Sequence, residues 1–267
     1  MGSCASRSIE KFAVFPGSDH DPTTTDLDTG VHWTEGGPDR ERWVSVRVPP
    51  PSGAPIRQII VYAHGNACTA NDMLDVLEGL AARGDALVIC PEYPGYGLMR
   101  DATRPCMDRA VRHVRYALSE AKTMATDISP DVRVAAVGQS IGAALVAEAL
   151  ADFEHQRLVD RVCLISPFSS LRAITGHHAP SSITSCATSL IETDRFNTVE
   201  LARWITTNGA DPPPVRIIHG LDDEVIPIDH ARKIHLANPE RISLTEVDGT
   251  HNEFRVDLEA LILGACS

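Results

Sequence analysis

The stretch Val132-Arg133-Val134-Ala135-Ala136-Val137-Gly138-Gln139-Ser140-Ile141-Gly142-Ala143-Ala144 decides the fold. A run of apolar and β-branched residues leads into Gly-Gln-Ser-Ile-Gly, and an Ala-rich helical pattern follows (Leu145, Val146, Ala147, Ala149, Leu150). That is a strand, a sharp turn and a helix, with a serine at the apex. Such a turn brings its flanks too close together to tolerate a Cβ, and Gly138 and Gly142 stand at those flanks. The turn lifts the Ser140 hydroxyl above the sheet. It also aims the free N–H groups of a helix N-terminus at any anion that forms there.

Working outward, the rest of the chain alternates strands and helices. Strands are predicted at Trp43–Val48, Ile59–Ala63, Ala86–Cys90, Arg161–Ile165, Val215–Ile218 and Ile242–Val247. Helices are predicted around Met73–Ala81, at Met107–Lys122, at Val199–Thr206 capped by Asn197 or Thr198, and at Glu253–Leu263. Phe12–Pro16 reads as a short edge strand, and residues 17–41 as an irregular loop or a loosely held hairpin. The alternation predicts a mostly parallel sheet with helices on both faces. Residues 42–267 read as one α/β domain behind a lead-in of residues 1–41.

Composition bounds the function. Across 267 residues, 43% are hydrophobic and 22% charged, which supplies a full core. A formal charge of −12 argues against nucleic acid as a partner, because phosphate binding needs clustered Lys and Arg. The seven cysteines form no C-x-x-C pair, and Cys90 and Cys163 fall in strands read as buried, so free thiols in a reducing compartment are expected. No apolar run reaches the ~18 residues that a membrane span needs. The first residues, Met1-Gly2-Ser3-Cys4-Ala5-Ser6, match an N-myristoylation signal, with Cys4 placed for a palmitate. One myristate holds a bilayer only marginally. With only Arg7 and Lys11 nearby to form a basic patch, the second signal is expected to be an acyl chain.

In open parallel sheets, functional groups gather beyond the carboxyl ends of the strands. Four such ends carry suitable residues: His64-Gly65-Asn66-Ala67, Ser140, His219-Gly220-Leu221-Asp222-Asp223-Glu224-Val225-Ile226, and Asp248-Gly249-Thr250-His251-Asn252. The chain order is serine, acid, histidine. In that constellation a base deprotonates the serine and a carboxylate orients the base. Ser140 is the candidate nucleophile. His251 is the candidate general base, since an imidazole with an ordinary pKa of ~6.5 can take and return a proton near neutrality. Position alone leaves Asp222, Asp223, Asp229 and Asp248 open as the acid. His177 and His178 adjoin but have no evident third ligand, so no metal is expected.

His-Gly-Asn-Ala, Pro-Gly-Tyr-Gly, Gly-Gln-Ser-Ile-Gly, Ser-Pro-Phe, His-Gly-x-x-Asp-Glu-Val-Ile and Gly-x-His-Asn together resemble the α/β-hydrolase-fold serine hydrolases, from Arg57 to the C-terminal end. Within that fold they resemble the intracellular, lipid-anchored α/β-hydrolase-domain proteins that act as protein depalmitoylases. The resemblance implies an α/β-hydrolase fold with a short lid at about residues 167–211, and it selects Asp223 as the acid. It implies an oxyanion hole from the backbone N–H groups of Ile141 and Asn66, with His64 bracing the loop. It further implies an enzyme on the cytoplasmic face of a membrane that cleaves acyl thioesters or esters of proteins or lipids; a monomer without a cofactor is expected, with Gly2 and Cys4, as read above, as its attachment. The branch anchors through an N-terminal cluster of palmitoylated cysteines, whereas this chain offers Gly2 and the single Cys4. The other readings are a lysophospholipase or monoacylglycerol-type lipase, and a catalytically silent membrane-tethered scaffold. Scaffolds need none of Ser140, Asp223 and His251, so an intact set argues against the last.

Overall fold

Successive residues of Ile59-Ile60-Val61-Tyr62-Ala63 point to opposite faces of a strand, yet all five are fully buried. A strand can do this only at the centre of a sheet covered on both sides. The computed structural model of the protein describes residues 31–35, 42–51, 53–100, 106–178, 196–208 and 211–267. Gly2, Cys4, the strand expected at Phe12–Pro16 and much of the expected lid lie outside the described residues.

The described strands are β1 (Val31–Glu35), β2 (Arg42–Val48), β3 (Gln58–Ala63), β4 (Ala86–Pro91), β5 (Arg133–Gln139), β6 (Arg161–Ile165), β7 (Val215–Gly220) and β8 (Ile242–Val247). They form one eight-stranded sheet in the order β1-β2-β4-β3-β5-β6-β7-β8. β1 pairs antiparallel with β2 and β2 with β4, and every other neighbouring pair is parallel. The direction of winding reverses between β3 and β5. That opens a crevice where α/β sheets bind their ligands.

Helices cover the two faces. α1 (Leu74–Gly84) and α8 (Leu258–Cys266) pack on the face made by Ile60, Tyr62, Val88, Ala135, Val137 and Ile165. On the other face, Ile59, Val61, Ile89, Val134, Ala136, Leu164 and Ile217 meet α2 (Met107–Ile128), α3 (Ile141–Ala149), α6 (Thr198–Thr207) and α7 (Asp229–His235). α2 shows why its sequence is helical: Ala110, Val114, Ala117, Leu118, Ala121 and Ala125 recur at intervals of three and four and are buried together. Among the described residues Cys68, Cys90, Cys106, Cys163 and Cys266 are free thiols.

The structure departs from the sequence expectations at specific points. Val31–Glu35 lies in the stretch read as an irregular loop or loosely held hairpin, and it is a regular antiparallel partner of β2. Among the described residues the sheet therefore begins at Val31, ahead of residue 42. The last helix starts at Leu258 and not at Glu253, because the Asp257 side chain accepts from the Ala260 N–H and caps it. Residues 249–254 instead close a turn through a bridge between Gly249 and Phe254. α2 runs to Ile128, beyond the expected Lys122, and buries Ala125 in its last turns. Within the lid stretch, α5 (Leu171–His178) is a helix that the sequence reading missed, and it buries Leu171 and Ile174. α4 (Phe153–Gln156) and α7 were also missed. At four and seven residues they are too short to show a helical period.

The glycines at the central turn are required by contact. A Cβ on Gly142 would overlap the carbonyl oxygens of Ala63 and His64 at the end of β3. A Cβ on Gly138 would stand 2.5 Å from the Gly142 oxygen and 2.6 Å from the Ala143 Cα. Gly142→Ala is expected to cost about 1–3 kcal/mol of stability, the usual range for overpacking, because backbone and not a flexible side chain must give way. Urea unfolding of the variant beside the parent protein measures it.

Candidate active site

Ser140 sits between β5 and α3 with φ 55 and ψ −116, a conformation that a residue with a Cβ adopts only when its surroundings impose it. The imposing contacts are visible. The Ser140 N–H donates to the Ile165 carbonyl of β6 at 2.8 Å, and its own carbonyl accepts from the Ala143 N–H at 3.1 Å. Next to it, the Tyr62 hydroxyl donates to the Gln139 Oε1 at 2.8 Å. Ile141, next after Ser140, opens α3, and the first N–H groups of a helix have no partner within it, so its amide is not taken up by the helix.

The loops after β7 and β8 bring the other two residues to the serine. His251 is buried, with its Nε2 3.1 Å from the Ser140 Oγ. Its Nδ1 donates to the Asp223 Oδ2 at 2.7 Å, which leaves Nε2 as the acceptor facing the hydroxyl. Asp223 is buried and held from its other side. Its Oδ1 accepts the backbone N–H groups of Val225 at 3.0 Å and Ile226 at 2.7 Å. Burial would raise the pKa of this carboxyl. Hydrogen bonds from His219, His251 and the Ile226 N–H, together with the His251 charge, hold it well below the usual carboxylate range. Asp222, the neighbour on the same turn, points outward. Its side chain is 63% exposed and 3.9 Å from Arg255. Of the two, Asp223 is therefore the one that the structure joins to Ser140 and His251.

The loop after β3 faces this chain of three. Gly65 stands beside Ser140, since a Cβ built on it would lie 3.8 Å from the serine Cβ. Asn66 follows, exposed, and its side-chain Oδ1 accepts from the Tyr96 hydroxyl at 2.6 Å. The amides of Asn66 and Ile141 thus belong to the two segments that flank Ser140. This is the arrangement in which donors can meet a developing oxyanion.

The sequence profile of the alpha/beta hydrolase family matches residues 60–245, a span that holds Ser140 and Asp223 and stops just short of His251. The chain belongs to that family. An alpha/beta hydrolase of Acanthamoeba polyphaga mimivirus is 27% identical over 194 residues, 71% of this chain and 64% of the viral protein. Human alpha/beta hydrolase domain-containing protein 17C is 24% identical over 201 residues, 75% of this chain and 54% of the human protein. The chain thus matches less than two thirds of the length of either relative. Among solved structures, Est1E from Butyrivibrio proteoclasticus superimposes with a TM-score of 0.63 at 16% identity, over 89% of this chain and 96% of that one. A soluble variant of monoglyceride lipase from Saccharomyces cerevisiae, in complex with a substrate analog, gives 0.64 at 12% identity, over 92% and 96%. These likenesses establish the α/β-hydrolase fold.

Three residues of this α/β hydrolase were missed by sequence reasoning, and all come from the loop Pro91–Gly97. Glu92, though a carboxylate, is almost wholly buried. Its Oε1 lies 3.1 Å from the His64 Nε2, and its Oε2 accepts the Ala70 N–H at 3.2 Å. The Tyr93 hydroxyl donates to the His64 carbonyl at 2.9 Å, and its ring stacks on the His64 imidazole at 3.9 Å between centroids. Tyr96 holds Asn66 as described. The signal was available: a lone acid directly after the buried run Ala86–Pro91 needs a partner. His177 and His178 lie in the last turn of α5. Among the described residues there is no group of three His, Cys, Asp or Glu that could hold a metal ion.

His64 is fully buried, and both its ring nitrogens face acceptors, because Nδ1 lies 2.9 Å from the Gly65 carbonyl. Burial by itself would lower its pKa. Hydrogen bonds to the Cys68 sulfur and the Glu92 carboxylate, with the Glu92 charge, outweigh that and push it up to about 10. The folded protein therefore holds this proton more tightly than the unfolded chain, whose imidazole has a pKa of ~6.5. The stabilisation is complete below that value and is lost as pH rises toward 10. Urea unfolding should show the stability gap between the parent and His64→Gln shrinking from pH 6.5 upward, by at most about 1.4 kcal/mol per unit. A gap constant over that range would mean that His64 is not held as a cation.

Proposed function

We propose that the protein is a membrane-anchored serine hydrolase that cleaves fatty acyl thioesters or esters, with protein S-palmitoyl groups as its substrates. The observation that carries this reading is the hydrogen-bonded chain from Ser140 through His251 to Asp223. It is supported by membership of the alpha/beta hydrolase family and by the motif resemblance to depalmitoylases. In this mechanism the Ser140 Oγ attacks the acyl carbonyl while its proton passes to the His251 Nε2. The tetrahedral oxyanion is met by the N–H groups of Ile141 and Asn66. The departing thiol or alcohol takes the proton from His251, leaving an acyl-serine, and water repeats the steps to release the acid. Asp223 stays ionised throughout and stabilises the imidazolium that forms twice per turnover.

An acyl chain attached to a protein needs a site that is open at the surface. Ser140 is only partly buried, which suits it. Among the described residues no helix is long and apolar enough to cross a membrane, so attachment in this proposal falls to Gly2 and Cys4. With a net charge of −12, the body of the protein is repelled by an anionic leaflet and adds nothing to the hold.

Two sets of variants test the proposal. Ser140→Ala and His251→Ala should each lower hydrolysis by several orders of magnitude and abolish labelling by a fluorophosphonate probe, with unchanged circular dichroism. Asp223→Asn should be far more damaging than Asp222→Asn. Parallel release assays on a palmitoylated peptide and on a lysolipid distinguish the proposed substrate from a lysophospholipase activity, and faster release from the lysolipid would overturn the peptide assignment. For location, Gly2→Ala should leave the protein in the soluble fraction and Cys4→Ser should divide it between fractions, while hydrolysis of a small soluble ester is unchanged in both. A Gly2→Ala protein that still pelleted with membranes would exclude dual acylation.

A further inference from the structure

His219 is the last side chain before the turn that carries Asp223. By the alternation of a strand it falls on the same face as Val215 and Ile217, under α7, and it is fully buried. Its Nε2 is 2.7 Å from the Ile226 carbonyl and 3.3 Å from the Asp223 Oδ2. Both are acceptors, so the proton of this ring resides on Nε2 and is shared between them. Nδ1 then faces the interior, and among the described residues it has no hydrogen-bond partner. A buried polar atom without a partner costs free energy, which an apolar side chain of similar size would avoid. What the imidazole alone provides here is the Nε2–H.

We propose that His219 is a positioning residue of the catalytic acid: its Nε2–H, anchored on the Ile226 carbonyl, holds the Asp223 Oδ2 beside the His251 Nδ1–H. This rests on the reading of Ser140, His251 and Asp223 as a catalytic triad and deepens it. Four donors then surround the carboxylate. Val225 and Ile226 fix Oδ1, and His251 and His219 share Oδ2. The consequences are geometric and electronic. The carboxylate cannot rotate away when His251 moves between serine and leaving group. Its negative charge is also divided between two imidazoles, which tempers how strongly it favours the protonated form of His251.

The other ionisable groups around the pair are engaged elsewhere. Glu246, the register partner of His219 on β8, is paired with Arg232 of α7 at 2.8 Å. Asp222 faces Arg255. His230 of α7 accepts at Nδ1 from the Ser169 N–H at 3.1 Å. Glu246 is also close enough to feel the His219 ring electrostatically, but its hydrogen bonds go to Arg232, whereas the Asp223 Oδ2 is 3.3 Å from the His219 Nε2.

The experiment compares the pH profile of kcat/KM on a soluble ester for the parent, His219→Leu and His219→Gln. A glutamine amide nitrogen can occupy the place of Nε2 and donate to the same two oxygens, whereas leucine cannot. Loss of one neutral hydrogen bond to the carboxylate should move the acid limb of the His219→Leu profile up by about half to one pH unit. It should also lower the plateau about three- to tenfold. The Gln variant should keep the limb of the parent. Should the Leu variant fail to fold, His219→Asn takes its place, since its shorter amide cannot reach both oxygens. The low-field proton resonance of the His251 Nδ1–H is followed in the same proteins and does not depend on turnover. A shift of that resonance in His219→Leu and its recovery in His219→Gln support the proposal. An unchanged limb and resonance in a folded Leu variant, or a Gln variant that behaves like Leu, overturn it. A parent protein that neither labels with a fluorophosphonate nor hydrolyses esters overturns the triad reading instead.

Discussion

The left-handed backbone of Ser140 is the constraint on which the rest of the site depends. It persists because α3 is pressed against the ends of β3 and β5 so closely that Gly138 and Gly142 have no room for a Cβ. A strained residue of this kind stores of order 1–3 kcal/mol, which the surrounding packing must over-determine. The packing here is extensive. α3 buries eight of its nine residues, from Ile141 to Ala149, and β5 is flanked by two parallel neighbours that are themselves buried. Ser140 is thus held rigidly at the point where the winding of the sheet reverses.

A rigid serine is useful only if its partners are equally well placed, and each arrives on a loop. Loops lack ladder hydrogen bonds, so buried polar pairs take over their support. The Asn66 loop is tied by Glu92, Tyr93 and Tyr96 from the neighbouring strand end. The Asp223 turn is tied by its own carboxylate, which accepts two N–H groups further along the chain. The His251 loop is closed by Gly249 against Phe254 and by the Thr250 N–H donating to the Glu253 carbonyl at 2.9 Å. In a low-dielectric surrounding each such pair is costly to break from one side only, so the site is specified by satisfied polar groups more than by apolar contact.

Much of this was legible in the sequence, for reasons that differ from residue to residue. Gly138, Ser140 and Gly142 announce the central turn because their spacing answers a steric demand that no other residues meet. Buried runs such as Ile59–Ala63 announce central strands. Asp223 could not be separated from Asp222 by position, since adjacent residues on a turn diverge in directions that the backbone alone decides. The motif resemblance favoured Asp223, and the structure shows why: its oxygens find backbone N–H groups, while Asp222 faces water and Arg255. Glu92 was passed over because a Pro- and Gly-rich stretch reads as surface loop, and only the fold reveals that His64 is waiting beneath it. Short helices such as α7, and the true start of α8 at its Asp257 cap, carry too few residues for a period to emerge. The edge strand β1 was hidden by its polar neighbours for the same reason.

Three imidazoles near the site show how partners, and not residue type, assign roles. His64 has acceptors at both nitrogens, the Gly65 carbonyl and the Glu92 carboxylate, and with the Cys68 sulfur beside it its pKa is pushed up, so it favours the protonated form behind the Asn66 loop. His219 has acceptors at one nitrogen only, so it carries its proton there and leaves the other bare. His251 has an acceptor at Nδ1 and a hydroxyl at Nε2, the one pairing that lets a ring receive a proton and return it. Exchanging any two of these environments would leave the composition of the site unchanged and remove the proton relay that the proposed mechanism needs. A fixed cation at the position of His251 could not accept from Ser140. A ring without its carboxylate would have nothing to steady the charge it gains.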